Sequence, residues 1–178
     1  MPLSTCKARI VFALLGFLVA GACSAAEPVA RVRVAFDSNG ADLVLLIVAA
    51  LEQPLLRELY ALVTDLGMTP LVETHSREEL DRASDLGARL IGVNARNLST
   101  FELDKDLFGS LAEHFPADAV KIAESAVLAP ADVAHYRAAG ADVVLVGEAL
   151  VTSDPVTTLH AFLEAGRCDV SSERSASK

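Results

Sequence analysis

Cysteine is scarce and scattered in this chain. Cys6, Cys23 and Cys168 are odd in number and far apart, which excludes a disulfide framework and any regular metal-ligand spacing. Positive charge is the minority sign, with 15 Lys and Arg against 24 Asp and Glu. No Lys/Arg cluster is present to neutralise a phosphate backbone, so a nucleic-acid surface is excluded. A small anion is not excluded, because a few backbone amides bind a phosphate on an acidic protein. No Gly-x-Gly-x-x-Gly follows an apolar run and no Gly-x-x-x-x-Gly-Lys-Ser/Thr occurs, so dinucleotide and nucleoside triphosphate binding are not signalled. Low-complexity tracts are also missing. With 52% hydrophobic residues over 178 positions, the chain suits one domain with a sizeable core.

What is present begins with an ambiguous amino terminus. Lys7 and Arg9 precede the apolar stretch Ile10 to Ala22, and Ser24-Ala25-Ala26 offers the small residues of a cleavage site, so residues 1–26 read as a signal-like segment. The competing reading is an out-of-context translated stretch, such as a shifted reading frame joined to an unrelated gene. Residues 27–39 are a poorly patterned lead-in, 40–165 carry the domain, and 166–178 form a polar tail expected to fray.

Within the domain one unit recurs: an amphipathic helix closes on glycine and an apolar strand follows. Gly40, Gly67, Gly87 and Gly140 precede the runs Leu43–Val48, Leu71–Glu73, Leu90–Val93 and Val143–Val146, and a further strand is expected at Val120–Ala123. Continuous runs of Val, Ile and Leu belong to strands buried on both faces, and glycine enters the left-handed region that ends a helix. Helices are expected near 52–66, 76–86, 104–114, 131–139 and 154–165. Ser76 with Glu79 makes a capping box at the start of the second, and Pro54 and Pro155 suit first turns. This is a parallel α/β chain, either an open doubly wound sheet or part of an eight-stranded barrel, and both put their chemistry at the carboxyl ends of the strands.

Those ends are chemically distinctive. Glu73 places a carboxylate where partial burial favours acid–base work, or else it is a solvated or helix-capping group. His75, two residues on, reads as a loop residue. Asn94 and Arg96 lie two apart and suit a substrate hydroxyl and a carboxylate or phosphate, unless Arg96 pairs with Glu73 or Glu124 across the mouth. Glu124 and Ser125 end one strand, and Gly147 and Glu148 end the next before Ala149-Leu150-Val151. Two successive ends with small residues bring free amides toward an anion.

In this order and spacing, Pro70-Leu71-Val72-Glu73-Thr74-His75, Ile91-Gly92-Val93-Asn94-Ala95-Arg96-Asn97-Leu98, Ala123-Glu124-Ser125 and Val144-Leu145-Val146-Gly147-Glu148-Ala149-Leu150 closely resemble the carboxyl-terminal half of indole-3-glycerol phosphate synthase. The likeness covers about residues 40–163. It implies a fold made of strands 4–8 of a (β/α)8 TIM barrel, left incomplete. It implies a carboxy-lyase of tryptophan biosynthesis, which closes a ring on 1-(2-carboxyphenylamino)-1-deoxyribulose 5-phosphate with loss of carbon dioxide and water, using no metal or organic cofactor. On that basis Glu73 is the acid–base glutamate and Asn94 orients the substrate. Arg96 and Glu124 contact it, and Ser125, Gly147 and Glu148 form the phosphate end, with the amides of Ser125 and Gly147 as donors.

The resemblance also has departures. The family's lysine-bearing amino-terminal strands, which include its general acid, find no match in this chain. Arg31-Val32-Arg33-Val34-Ala35-Phe36 falls where the third strand should lead toward the fourth, and it has no lysine. Ala126 stands where glycine usually follows Glu-Ser. Loss of a proton donor costs about 100- to 10,000-fold, so the chain alone is expected to be inactive. A second expectation is a non-catalytic half-barrel that binds a sugar phosphate, or that pairs with itself or a complementary chain through the strand at 43–48. The resemblance points to the cytoplasm, whereas residues 1–26 point to export.

Overall fold

The computed structural model describes residues 9–11 and 42–167. The cysteines, the lead-in, most of the signal-like segment and nearly all of the tail lie outside the described residues. Among the described residues six strands form one parallel sheet: β1 (Arg9–Val11), β2 (Leu43–Ile47), β3 (Thr69–Thr74), β4 (Leu90–Asn94), β5 (Val120–Glu124) and β6 (Val143–Leu145). Their order across the sheet is β1-β6-β5-β4-β3-β2, so β2 through β6 are laid down in sequence and β1 pairs with β6. Six α-helices among the described residues accompany them: α1 (Gln53–Asp65), α2 (Arg77–Asp85), α3 (Leu107–Leu111), α4 (Pro130–Ala138), α5 (Glu148–Thr152) and α6 (Pro155–Ala165).

Sequential strand order with helical crossovers is the curl of a barrel wall, not of a doubly wound sheet, whose order reverses at a switch point. The fold is thus parallel α/β with a partial, TIM-barrel-like sheet. The strands alternate between two apolar layers. Val72, Ile91, Val93, Ala123 and Val144 pack outward against Leu56, Leu80, Phe108, Tyr136 and Phe162 of the helices. Leu71, Ile122 and Val143, with the partly buried Leu45, Leu90 and Leu145, form a smaller cluster on the other face. This two-faced burial is why the strands read as unbroken apolar runs.

Local chemistry sets the boundaries. Gly67, Gly87 and Gly140 take φ of 78°, 77° and 93°, ending α1, α2 and α4 as the repeat requires. Gly40 lies outside the described residues. Pro70 falls inside β3, although the expected strand began at Leu71. The amide of Thr69 donates to the Asp42 carbonyl on the β2 side, so the position of Pro70 faces β4, whose pairing with β3 starts only at Val72. No ladder bond is lost there. The helix expected over 104–114 is shorter: Asp104 Oδ1 accepts the Asp106 amide, α3 starts at Leu107, and Ala112–His114 tighten into a 3-10 turn. A side chain that satisfies its own backbone holds the chain out of helix.

The capping box forms by half. Ser76 Oγ accepts the Glu79 amide at 3.2 Å, but Glu79 Oε2 reaches past Ser76 to the His75 amide at 2.7 Å. Arg82 on α2 ties this layer down: its Nε donates to Gln53 Oε1, Nη1 to the Val48 carbonyl and Nη2 to the Leu51 carbonyl, at 3.0, 3.3 and 2.5 Å. Among the described residues no helix is long and apolar enough to cross a membrane.

Candidate functional site

A cavity of about 450 Å³ opens at the carboxyl ends of β3 to β6, and Glu73, Asn94, Arg96, Glu124, Ser125, Gly147 and Glu148 all line it. Phe101, Ala126 and Leu128 are among its other lining residues. The parallel sheet explains the convergence, because every strand delivers its last residue to the same edge. Glu73 and Asn94 are the penultimate residue of β3 and the last of β4, and Glu124 ends β5 in register with Asn94.

Glu73 is 4% exposed and Glu124 6%. Glu73 is therefore neither solvated nor a helix cap, the two bland readings of its position. Burial, then the neighbouring Glu73 charge and contact with its carboxyl, push the Glu124 carboxyl well above the usual carboxylate range. Oε1 of each glutamate is buried without a hydrogen-bond partner, as is Nε2 of His75. That ring nitrogen stands 3.4 Å from Glu73 Oε1, and Nδ1 stands 3.3 Å from Glu79 Oε2. His75, in the bend between β3 and α2 as expected of a loop residue, is thus wedged between two carboxylates. It also borders a second, more polar cavity of about 630 Å³ under the 95–104 loop.

Asn94 turns inward on its own chain, its Oδ1 accepting the Arg96 amide at 3.0 Å. Arg96 pairs with neither Glu73 nor Glu124: its Nη2 lies 3.4 Å from Glu148 Oε2 across the mouth. The loop beyond it is closed by Asn97, whose Oδ1 accepts the amides of Ser99 and Thr100. At its tip Phe101, with φ of 61° and 60% exposed, leans over the cavity.

Ser125 and Ala126 both adopt the left-handed region, with φ of 66° and 56°. The site where glycine was expected is therefore one where a side chain is strained. Two scaffolds hold this turn. Buried Tyr136 lies under it, its hydroxyl 3.5 Å from the Ser125 carbonyl, and burial foremost, with Asp132, Asp104 and Asp106 nearby, pushes its phenol up to about 12. Asp132 Oδ2 accepts the amides of Leu128 and Ala129, both at 2.9 Å, while Oδ1 meets Lys105 Nζ. Gly147 caps α5 and brings its backbone to the opposite wall.

Two contributors escaped the reading of strand ends: Gly92, over which the Glu124 carboxyl lies, and His75 between its carboxylates. A signal for the first existed, since an isolated glycine inside an apolar strand marks a close approach. Among the described residues no group of three or more His, Cys, Asp or Glu is placed to hold a metal ion.

Comparison with known proteins agrees with the motif reading. The family model described as indole-3-glycerol phosphate synthase matches residues 31–162, and so takes in part of the segment set aside as a lead-in. The indole-3-glycerol phosphate synthase of Leifsonia xyli subsp. xyli is 72% identical over 123 residues, 69% of this chain and 47% of that protein. That of Saccharopolyspora erythraea is 55% identical over 130 residues, 72% of this chain and 48% of that protein. The chain spans about half the length of the curated relatives it matches. Among solved structures, 3-hexulose-6-phosphate synthase from Salmonella typhimurium superposes with a TM-score of 0.61 at 16% identity, over 71% of this chain and 62% of that one. Thiamine phosphate pyrophosphorylase from Pyrococcus furiosus gives 0.56 at 15% identity, over 71% and 59%. These two likenesses carry the fold alone. With the family model spanning most of its length and relatives this similar, the chain belongs to the indole-3-glycerol phosphate synthase family.

Proposed function

We propose that this chain carries the phosphate-holding and acid–base portion of an indole-3-glycerol phosphate synthase site, with β2 to β6 as strands 4–8 of the (β/α)8 barrel. The observation that carries the reading is the single cavity shared by all seven residues that the motifs nominate. Glu73 is the acid–base group and Asn94 orients the substrate. Arg96 and Glu124 contact it, and the amides of Ser125 and Gly147 take the phosphate beside Glu148. The substrate is 1-(2-carboxyphenylamino)-1-deoxyribulose 5-phosphate, and the reaction closes the indole ring with loss of carbon dioxide and water. By themselves residues 40–163 bind this substrate without turning it over, because the family's lysine general acid lies outside the part they resemble.

The test is a substrate titration of isotopically labelled chain, followed at the Ser125 and Gly147 amides, with product measured in parallel. Shifts at both amides with negligible product support the reading, and a separate amino-terminal piece from a full-length relative should then restore turnover. Unperturbed amides at saturating substrate overturn the binding assignment. Turnover by the chain alone at a full-length enzyme's rate overturns its inactivity.

A second reading, a half-barrel that pairs with another chain, is favoured by the edge of β2 that no described residue pairs. Among the described residues only β3 pairs with it, and Leu43 is 38% exposed. A strand edge without a partner, beside a half-covered apolar layer, is a template for one more strand. Size-exclusion chromatography decides this: a strictly monomeric chain with no affinity for the substrate removes it.

A further inference from the structure

The glycine inside β4 is the least explained residue of the site. Gly92 is not among the glycines with positive φ, so torsion does not demand it. Space does. A Cβ built there would lie 1.7 Å from Glu124 Oε1, 2.7 Å from its Cδ and 3.3 Å from its Cγ. In the sheet, Gly92 is in register with Glu73 on one side and with Ile122 on the other, two residues below the Asn94–Glu124 pair. Glu73, Gly92 and Glu124 face the same side, as strand alternation from Leu71 and Ile122 requires. The two glutamates stand on strands separated by β4, about 9.5 Å apart at two strand spacings. Their carboxyls meet because the residue between them has no side chain.

The meeting poses a problem in hydrogen bonding. Two ionised carboxylates are acceptors only, and Oε1 of each is buried and unpartnered. An unmade bond on a buried charged group is costly, whereas one proton placed between the two oxygens satisfies both. The geometry points to Gly92 as the positioning residue of the site: its missing side chain is the slot in which the Glu124 carboxyl lies across β4 to share one proton with Glu73. This deepens the assignment of Glu73 as the acid–base group, and rests on it. Burial of Glu124 and the neighbouring Glu73 both raise the pKa of Glu124, the direction that a proton held by the pair requires. Other titratable or charged groups around the pair are His75 at the end of β3, Glu79 on α2, and Arg96 with its partner Glu148 across the mouth.

The experiment uses the whole chain, without ligand, labelled at the glutamate side-chain carboxyl carbons and followed by carbon NMR. At neutral pH one glutamate resonance should sit at its protonated position. It should vanish in Glu124→Gln and return to the ionised position in Gly92→Ala. Urea denaturation supplies a second readout that survives a poorly folding variant. Gly92→Ala should lower the midpoint at least twice as much in the natural background as beside Glu124→Ala, where the slot is empty. Uniformly ionised glutamates at neutral pH overturn the proposal. So does a protonated resonance that survives either substitution, or an equal cost, including equal failure to fold, in both backgrounds. Because no ligand is present, a chain that fails to bind substrate yet shows the protonated glutamate sinks the proposed function and leaves this inference standing.

Discussion

Arg96 Nη2 stands 3.4 Å from Glu148 Oε2, so the guanidinium assigned to an anionic substrate is already engaged by a carboxylate on the opposite wall. Glu148 was nominated for the phosphate end, yet its side chain carries the wrong sign for that task. On the proposed reading its contribution there comes through its backbone. Removal of the charge releases Arg96 and relieves repulsion at the anion site. The pair is solvent-facing, where such contacts are worth about 0–1 kcal/mol. Glu148→Gln should therefore tighten binding of inorganic phosphate about 2- to 5-fold, with the gain shrinking as salt is added. Calorimetric titration at two ionic strengths measures it.

Glu124 makes stability depend on pH in an unusual direction. Its folded-state pKa is raised by burial and by Glu73. Below the unfolded value both states hold the proton and nothing is lost. As pH rises from the ordinary glutamate range toward the folded value, the unfolded chain ionises first and stability falls. Glu124→Gln replaces the neutral acid with a neutral amide. It should raise the urea midpoint at neutral pH, and the advantage should disappear in acid.

Asp132 works the other way. Burial alone would raise its pKa, but Lys105 and the amides of Leu128 and Ala129 outweigh burial and hold it below the usual value. Its stabilisation is present above the unfolded aspartate value and is lost as pH falls through the lower folded one. Asp132→Ala removes a cap at the start of α4 and should cost about 1–2 kcal/mol at neutral pH. Against the natural chain, the difference should narrow in acid, as paired urea titrations would record.

Ala126, with φ of 56° and 4% exposed, separates strain from packing. Glycine there relieves about 1–2 kcal/mol of left-handed strain but gives up a buried methyl and adds freedom to the unfolded chain, together of similar size. Ala126→Gly should thus stay within about 1 kcal/mol of the natural protein. A β-branched residue has no such compensation. Ala126→Val should lose more than about 2 kcal/mol, and should broaden the Ser125 amide resonance. Thermal unfolding and an amide spectrum read both.

Arg82 joins α2 to the segment after β2 through three side-chain donors, while its own carbonyl accepts from Gln53 Nε2 at 3.1 Å. Such a planar fork is not reproduced by an ammonium. Arg82→Lys should cost about 1.5–3 kcal/mol, close to the cost of Arg82→Ala. The Val48–Leu51 segment should then exchange its amide protons faster, which hydrogen-exchange mass spectrometry follows.

The parts of this molecule that could be read from sequence share a cause. Gly67, Gly87 and Gly140 end helices by torsion, a property of the residue itself, and Leu71-Val72 or Val143-Val144 are buried on both faces whatever packs on them. Residues at strand ends were equally legible, because a parallel sheet sends Glu73, Asn94 and Glu124 to one edge by topology alone. Relationships that depend on side-chain direction across strands were not. Arg96 turned to Glu148, Glu79 reached His75 instead of Ser76, and His75 settled between Glu73 and Glu79. In each case several partners lay within reach, and only the assembled geometry chose among them.

The 1.7 Å approach of the Glu124 carboxyl to the place of a Gly92 Cβ also orders the history of the two positions. A side chain at 92 forces the Glu124 carboxyl out of this pose, but glutamate at 124 can shorten while 92 stays glycine. Divergence along this lineage therefore has a cheaper order of steps and a costlier one. Descendants with alanine at 92 should be found more often where position 124 had changed first.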